Sequence, residues 1–135
     1  MIKLLNILFI EDDIIEGIKF NRVLSQLGLK HRLIEVNNGE EALELLQSGG
    51  DLPDIILLDL NMPKMNGIEF LRILKNDESL KKIPTIIFTT SNNQKDILEC
   101  YKIGIAGYLI KPLKYEDYQT IVKKTLDYWT VNELT

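Results

Sequence analysis

The chain of 135 residues has a single cysteine, Cys100. One thiol cannot close an internal disulfide or build a thiolate metal cluster, which suits a reducing cytoplasm. Long apolar runs are missing as well, since nothing approaches the ~20 apolar residues that a bilayer-spanning helix needs. The apolar run Leu4 to Ile10 is short, is interrupted by Asn6 and meets Glu11-Asp12-Asp13 where a signal peptide would carry small neutral residues. It reads as a buried strand. Basic charge is not in excess either. With 16 Lys and Arg against 20 Asp and Glu, the net charge of -4 has the wrong sign for neutralising many phosphates, so bulk nucleic-acid binding is disfavoured. Internal repeats, low-complexity tracts and linkers are also lacking. The expectation is one soluble, cytoplasmic domain over residues 1–135 with no membrane association. An apolar fraction of 45% is enough for a packed core.

Five short apolar runs are present: Leu4 to Ile10, Leu33 to Val36, Ile55 to Leu58, Thr85 to Thr89 and Gly107 to Ile110. They are rich in Ile, Leu and Val without clear alternation, as parallel strands covered on both faces should be. Between them lie helical periods. Phe20, Val23, Leu24 and Leu27 follow i, i+3, i+4, i+7, and Tyr118, Ile121, Val122 and Thr125 repeat that spacing. Strict alternation of five strands and five helices predicts right-handed crossovers and a doubly wound α/β fold with a parallel sheet. Gly28 and Gly104 stand where helices should stop, and Gly49-Gly50 and Pro53 mark a loop. From Leu113 onward there is room for one helix and a short tail, so no output domain is expected.

Ligands of such sheets bind beyond the carboxyl ends of the strands. The first strand ends in Glu11-Asp12-Asp13, the third in Asp59, the fourth in Thr89-Thr90-Ser91 and the fifth in Lys111-Pro112. Asp13 alone is equally well read as a helix N-cap. Asp59, however, follows Ile55-Ile56-Leu57-Leu58, and an unpaired charge at the mouth of a buried strand is costly. Placing it beside Glu11 and Asp12 adds repulsion that a cation would relieve, and a few carboxylates plus water is the habit of Mg²⁺. A carboxylate so placed can attack phosphorus and form an acyl phosphate. Lys111 would then supply a fixed cation and Thr89 a hydroxyl donor for the charge on the equatorial oxygens. Singly, each of those two is more often an ordinary strand threonine and a solvated lysine.

These segments resemble the receiver domain of two-component response regulators. The resemblance rests on Phe9-Ile10-Glu11-Asp12-Asp13, on Leu57 to Gly67, on Pro84 to Thr89 and on Gly104 to Pro112, and it covers essentially the whole chain. It implies a flavodoxin-like (βα)5 fold with strand order 2-1-3-4-5. It also implies that Asp59 is the phosphoacceptor, that Asp12 and the Asn61 backbone carbonyl ligate Mg²⁺, and that Glu11 acts mostly through a metal-bound water. Thr89 and Lys111 would contact the phosphoryl group, Tyr108 would be the aromatic switch, and the Lys111-Pro112 peptide would be cis. The implied donor is a sensor histidine kinase or a histidine phosphotransfer protein. Output would pass to a protein partner or a homodimer through the face of the fourth helix, fifth strand and fifth helix, where Tyr101, Lys102, Tyr115, Asp117 and Tyr118 are candidate contacts.

Some positions depart from the commonest pattern. The acidic pair is Glu11-Asp12 where many members carry two aspartates, and Thr90 replaces a smaller residue. The last helix opens at Lys114-Tyr115-Glu116 without a clear cap. Its end, Asp127-Tyr128-Trp129, resembles the tail of stand-alone receivers associated with phytochrome-type kinases.

Other functions fit less well. A Mg²⁺-dependent aspartyl phosphatase needs an acid two positions after its nucleophile, and that position is Asn61, which cannot transfer a proton. A flavin or nucleotide carrier would want a Gly- or Ser/Thr-rich loop after the first strand, where Glu11-Asp12-Asp13 would repel phosphate. A degenerate receiver is disfavoured because Asp12, Asp59, Thr89 and Lys111 are all present. The expectation is a phosphoacceptor switch more than an enzyme, with a phosphate sink lacking its own output partner as the alternative.

Overall fold

A computed structural model describes residues 3–134. The elements alternate from end to end: β1 (Asn6–Ile10), α1 (Ile14–Gln26), β2 (Arg32–Val36), α2 (Gly39–Gln47), β3 (Ile55–Leu58), α3 (Gly67–Asn76), β4 (Thr85–Thr89), α4 (Gln94–Ile103), β5 (Gly107–Ile110) and α5 (Tyr115–Thr130). The five strands pair in parallel in the order β2-β1-β3-β4-β5. The expected doubly wound sheet is therefore the observed one.

The lack of alternation in the strands has its cause in two cores. Leu8, Ile10, Ile56, Leu58 and Ile87 face α2, α3 and α4, where they meet Ala42, Leu46, Phe70, Leu71, Leu74 and Cys100. Ile7, Phe9, Ile55, Leu57 and Phe88 face α1 and α5, packing on Phe20, Val23, Leu24, Tyr118, Val122 and Leu126. Both sides of each central strand are thus buried, and each fully buried aliphatic side chain contributes roughly 1.5–3 kcal/mol.

Local chemistry starts the helices beside the site. Asp13, Asn38, Asn66 and Asn93 each accept from a backbone N–H in the first turn of α1 to α4. Asp13 thus fulfils the capping role that its position allowed. Helix α5 follows Lys114 without a side-chain cap. Gly104 closes α4 at φ 124°, a conformation that L side chains rarely adopt.

Two expectations need correction. Tyr118 is not a surface residue, because it is fully buried in the core between the sheet and α5. Its helical stripe with Val122 and Leu126 turns it inward. No cis peptide occurs among the described residues, so Lys111-Pro112 is trans, the form that X-Pro bonds favour by about 0.5–1 kcal/mol.

Candidate functional site at the carboxyl ends of the strands

Strand register assembles the site. Ile10 pairs with Leu58, and the next residues extend the ladder: Asp59 N–H donates to the Ile10 carbonyl at 3.1 Å, while Glu11 N–H donates to Val36 at 3.1 Å. Glu11 and Asp59 are thereby carried side by side out of adjacent strands. On the other flank Thr89 pairs with Ile110, and Lys111 N–H donates to the Thr89 carbonyl at 2.7 Å. The loop after β3 is pressed close, with Gly67 N–H donating to the Leu60 carbonyl at 3.1 Å.

One carboxylate oxygen from each of Glu11, Asp12 and Asp59 lies within 4.8 Å of the others. Glu11 and Asp59 are buried and Asp12 is exposed. Lys111 is buried too, and its Nζ donates to Glu11 Oε2 at 2.6 Å and reaches Glu16 Oε1 at 3.1 Å. It also stands over the Phe88 ring, 5.7 Å from the centroid. Lys111 is therefore not the solvated charge that a lysine usually is. Thr89 is fully buried at the end of β4, and its hydroxyl accepts from Ser91 N–H at 3.4 Å. Tyr108 is half-buried and its hydroxyl donates to the Ser91 carbonyl at 2.9 Å. Asn61 stands exposed two residues past Asp59.

Electrostatics follow from burial. Loss of water raises the Glu11 carboxyl to about 7, Lys111 opposes the shift, and Asp59 adds to it. Burial alone would lower the Lys111 ammonium, but the hydrogen bond it donates to Glu11 and the charges of Asp59, Glu11 and Glu16 outweigh it and raise its pKa. The lysine stays charged, and burial holds the Glu11 carboxyl above the usual carboxylate range. A hard divalent cation beside it would favour the ionised form. Three carboxylates with one open to solvent suit such an ion.

Sequence reasoning brought together Glu11, Asp12, Asp59, Thr89 and Lys111, and the structure does the same. It missed Glu16. An acid in the first turn of a helix is ordinarily read as complementing the helix dipole, so its reach to Lys111 gave no separate signal.

Residues 7–123 match the response regulator receiver domain. The chain belongs to the response regulator receiver family. The probable methanogenesis regulatory protein FilR2 of Methanothrix harundinacea is 35% identical over 127 residues, 91% of this chain and 82% of that protein. The response regulator Rcp1 of Synechocystis is 34% identical over 128 residues, 91% and 87% of the two chains. The solved structure of the phosphorylated cyanobacterial phytochrome response regulator RcpA superposes with a TM-score of 0.91 at 30% identity, covering 98% of this chain and 99% of that one. The Mn²⁺-bound form of Rcp1 gives 0.88 at 32% identity, covering 97% and 99%. The narrower likeness to phytochrome-associated regulators therefore holds. Rcp1 is Mn²⁺-bound in that structure, and in this chain Glu11, Asp12 and Asp59 form a group of carboxylates that could hold a metal ion. No described helix is long and apolar enough to cross a membrane.

Proposed function

We propose that this receiver takes a phosphoryl group from a phosphohistidine onto Asp59 and uses the modification to change its protein contacts. The observation that carries the reading is the packing of Glu11, Asp12 and Asp59 within 4.8 Å beside a buried Lys111. An Asp59 carboxylate oxygen bonds to phosphorus as the P–N bond breaks, and the protonated phosphoimidazole leaves as neutral imidazole. Negative charge on the equatorial oxygens is met by the Lys111 ammonium and the Thr89 hydroxyl. Asp12, Asp59, the Asn61 carbonyl and, through water, Glu11 would hold Mg²⁺, which supplies further neutralisation of that charge. The hard-oxygen donor set suits it.

Thr89 and Tyr108 form the switch. The Tyr108 hydroxyl is tied to Ser91, two residues past Thr89, so movement of Thr89 toward a phosphoryl group acts on the same loop. The change is read on the face of α4, β5 and α5, where Tyr101 and Ile110 are exposed. Tyr115 turns instead toward α1, donating to Gln26 Oε1 at 2.6 Å. The phosphodonor is a sensor histidine kinase or histidine phosphotransfer protein, and the output is a protein partner or a second copy. The setting is cytoplasmic, in one domain over residues 1–135, and the role is a switch whose self-catalysed chemistry is limited to phosphorylation and slow dephosphorylation.

Acetyl phosphate plus Mg²⁺ tests this. Mass spectrometry should find one phosphoryl adduct that chelator prevents and Asp59→Asn abolishes. An adduct surviving Asp59→Asn would assign the acceptor elsewhere. For the switch, Tyr108→Ala should lose phosphorylation-dependent association while keeping most of the phosphorylation rate. Undiminished coupling would remove Tyr108 from the relay.

A further inference from the structure

Lys111 has two carboxylate partners of different kinds. Glu11 belongs to the three-carboxylate cluster, whereas Glu16, 3.1 Å from the ammonium, lies outside it. Glu16 projects from the first turn of α1, which is fixed by the Asp13 cap and by the Glu16 N–H bond to the Asp13 carbonyl at 3.1 Å. Its side chain is only 17% exposed and that of Lys111 5%, so the pair is largely withdrawn from solvent. At this burial each carboxylate that faces the ammonium offsets part of the cost of keeping its charge out of water.

The two contacts differ in what they withstand. A cation at the acidic cluster competes for the charge of Glu11 and so weakens its hold on Lys111. Glu16 stands clear of that competition. An ammonium has three N–H bonds in a tetrahedral array. One is donated to Glu11 Oε2 at 2.6 Å, Glu16 holds the ammonium as an ion pair at 3.1 Å, and the negative charge of Asp59 also helps hold the lysine protonated. The Phe88 ring closes off another side.

We propose that Glu16 is a positioning residue for Lys111: as an ion-pair partner it anchors the ammonium when Glu11 is engaged by the divalent ion and so keeps the charge beside the group on Asp59. The role in catalysis rests on Asp59 being the phosphoacceptor, while the anchoring itself does not. Glu16 touches neither phosphoryl donor nor metal and acts only through the lysine.

The test has two arms on the full chain with Mg²⁺. The first reads the Lys111 ammonium by ¹H–¹⁵N NMR, assigned by its loss in Lys111→Met. In wild type its protons should exchange slowly, and in Glu16→Ala about tenfold or more faster, the scale of one coupled pair. The second measures the rate constant for phosphorylation by acetyl phosphate. Glu16→Ala should lower it about tenfold, and the same substitution in Lys111→Met should have no further effect. Glu16→Gln keeps the shape and removes the charge, so it replaces the alanine variant if that fails to fold. Unchanged ammonium exchange in the Glu16 variants, or an equal loss of rate with and without Lys111, would overturn the proposal. If wild type shows no adduct on Asp59, the phosphoacceptor reading fails while the NMR arm still decides the anchoring. If Lys111→Met reacts too slowly to measure, that arm decides alone.

Discussion

A methyl group on Gly67 would lie 2.7 Å from the carbonyl oxygen of Asp59. It would meet Leu60 Cα at the same distance, so relief must come from the main chain that carries Asp59 and not from a flexible side chain. Gly67→Ala should therefore displace Asp59 relative to Glu11 and Asp12. The expected cost is about 1–3 kcal/mol of stability by urea unfolding, typical of forced overpacking. Labelling by acetyl phosphate should slow in the same variant. Normal stability and labelling would show that the loop yields freely.

The strand ends were legible because one rule governs them all. In a parallel sheet every carboxyl end lies on one rim, so Asp59, Thr89 and Lys111 could be grouped without any contact being known. The Lys111–Glu16 pair was not legible in that way. It joins residues 95 positions apart through side-chain directions that strand order leaves open. Tyr118 teaches the reverse. Its spacing with Val122 and Leu126 already placed it on a buried stripe, and assigning it to a docking face set aside that periodicity.

Burial of Tyr118 leaves its hydroxyl without a hydrogen-bond partner among the described residues. A buried unsatisfied hydroxyl costs about 1–3 kcal/mol. The ring's contacts with Phe88, at a centroid distance of 5.4 Å, and with the Lys19 ammonium need no oxygen. Tyr118→Phe should thus leave stability unchanged or raise it by up to about 1 kcal/mol. A clear loss in thermal or urea unfolding would reveal a bonded hydroxyl.

Trp129, the sole indole, sits half-buried at the far end of α5 from the site. It lines a groove with Pro53, Asp54 and Pro84, which precede β3 and β4 at their amino ends. Its ring also packs edge-on against Tyr128. A cation bound at Glu11, Asp12 and Asp59 is at the opposite rim of the sheet. Mg²⁺ should therefore scarcely change tryptophan emission, and a saturable quench would place ion binding elsewhere.

His31 Nδ1 accepts from Leu5 N–H at 2.9 Å, so the imidazole is neutral where it is buried. Burial lowers its pKa, with Asp127 opposing. Above about 6.5, the unfolded value, both states are neutral and the bond contributes fully. As pH falls below that point the unfolded chain binds the proton first, and stability declines until the lowered folded value is passed. Burial also raises the Glu11 carboxyl, to about 7, so the comparison must be between proteins. The loss of stability from pH 7 to 5 should be smaller in His31→Gln than in wild type. Parallel pH profiles would show that His31 is not the titrating group.

Under the proposed function, Thr90 should set the lifetime of the acyl phosphate on Asp59. It is exposed at the mouth of the cleft, immediately after the buried Thr89. Hydrolysis needs water to approach phosphorus in line, and a branched side chain there narrows the approach. The flanking residues Asn61 and Ser91 carry no charge to orient that water. A methyl in place of the Thr90 side chain opens the path without disturbing Lys111 or Thr89, because neither depends on the Thr90 side chain for its contacts. The phosphoryl half-life, followed by chase after removal of acetyl phosphate, should accordingly shorten in Thr90→Ala with the phosphorylation rate little changed. An equal or longer half-life in that variant would mean that access at Thr90 does not limit hydrolysis.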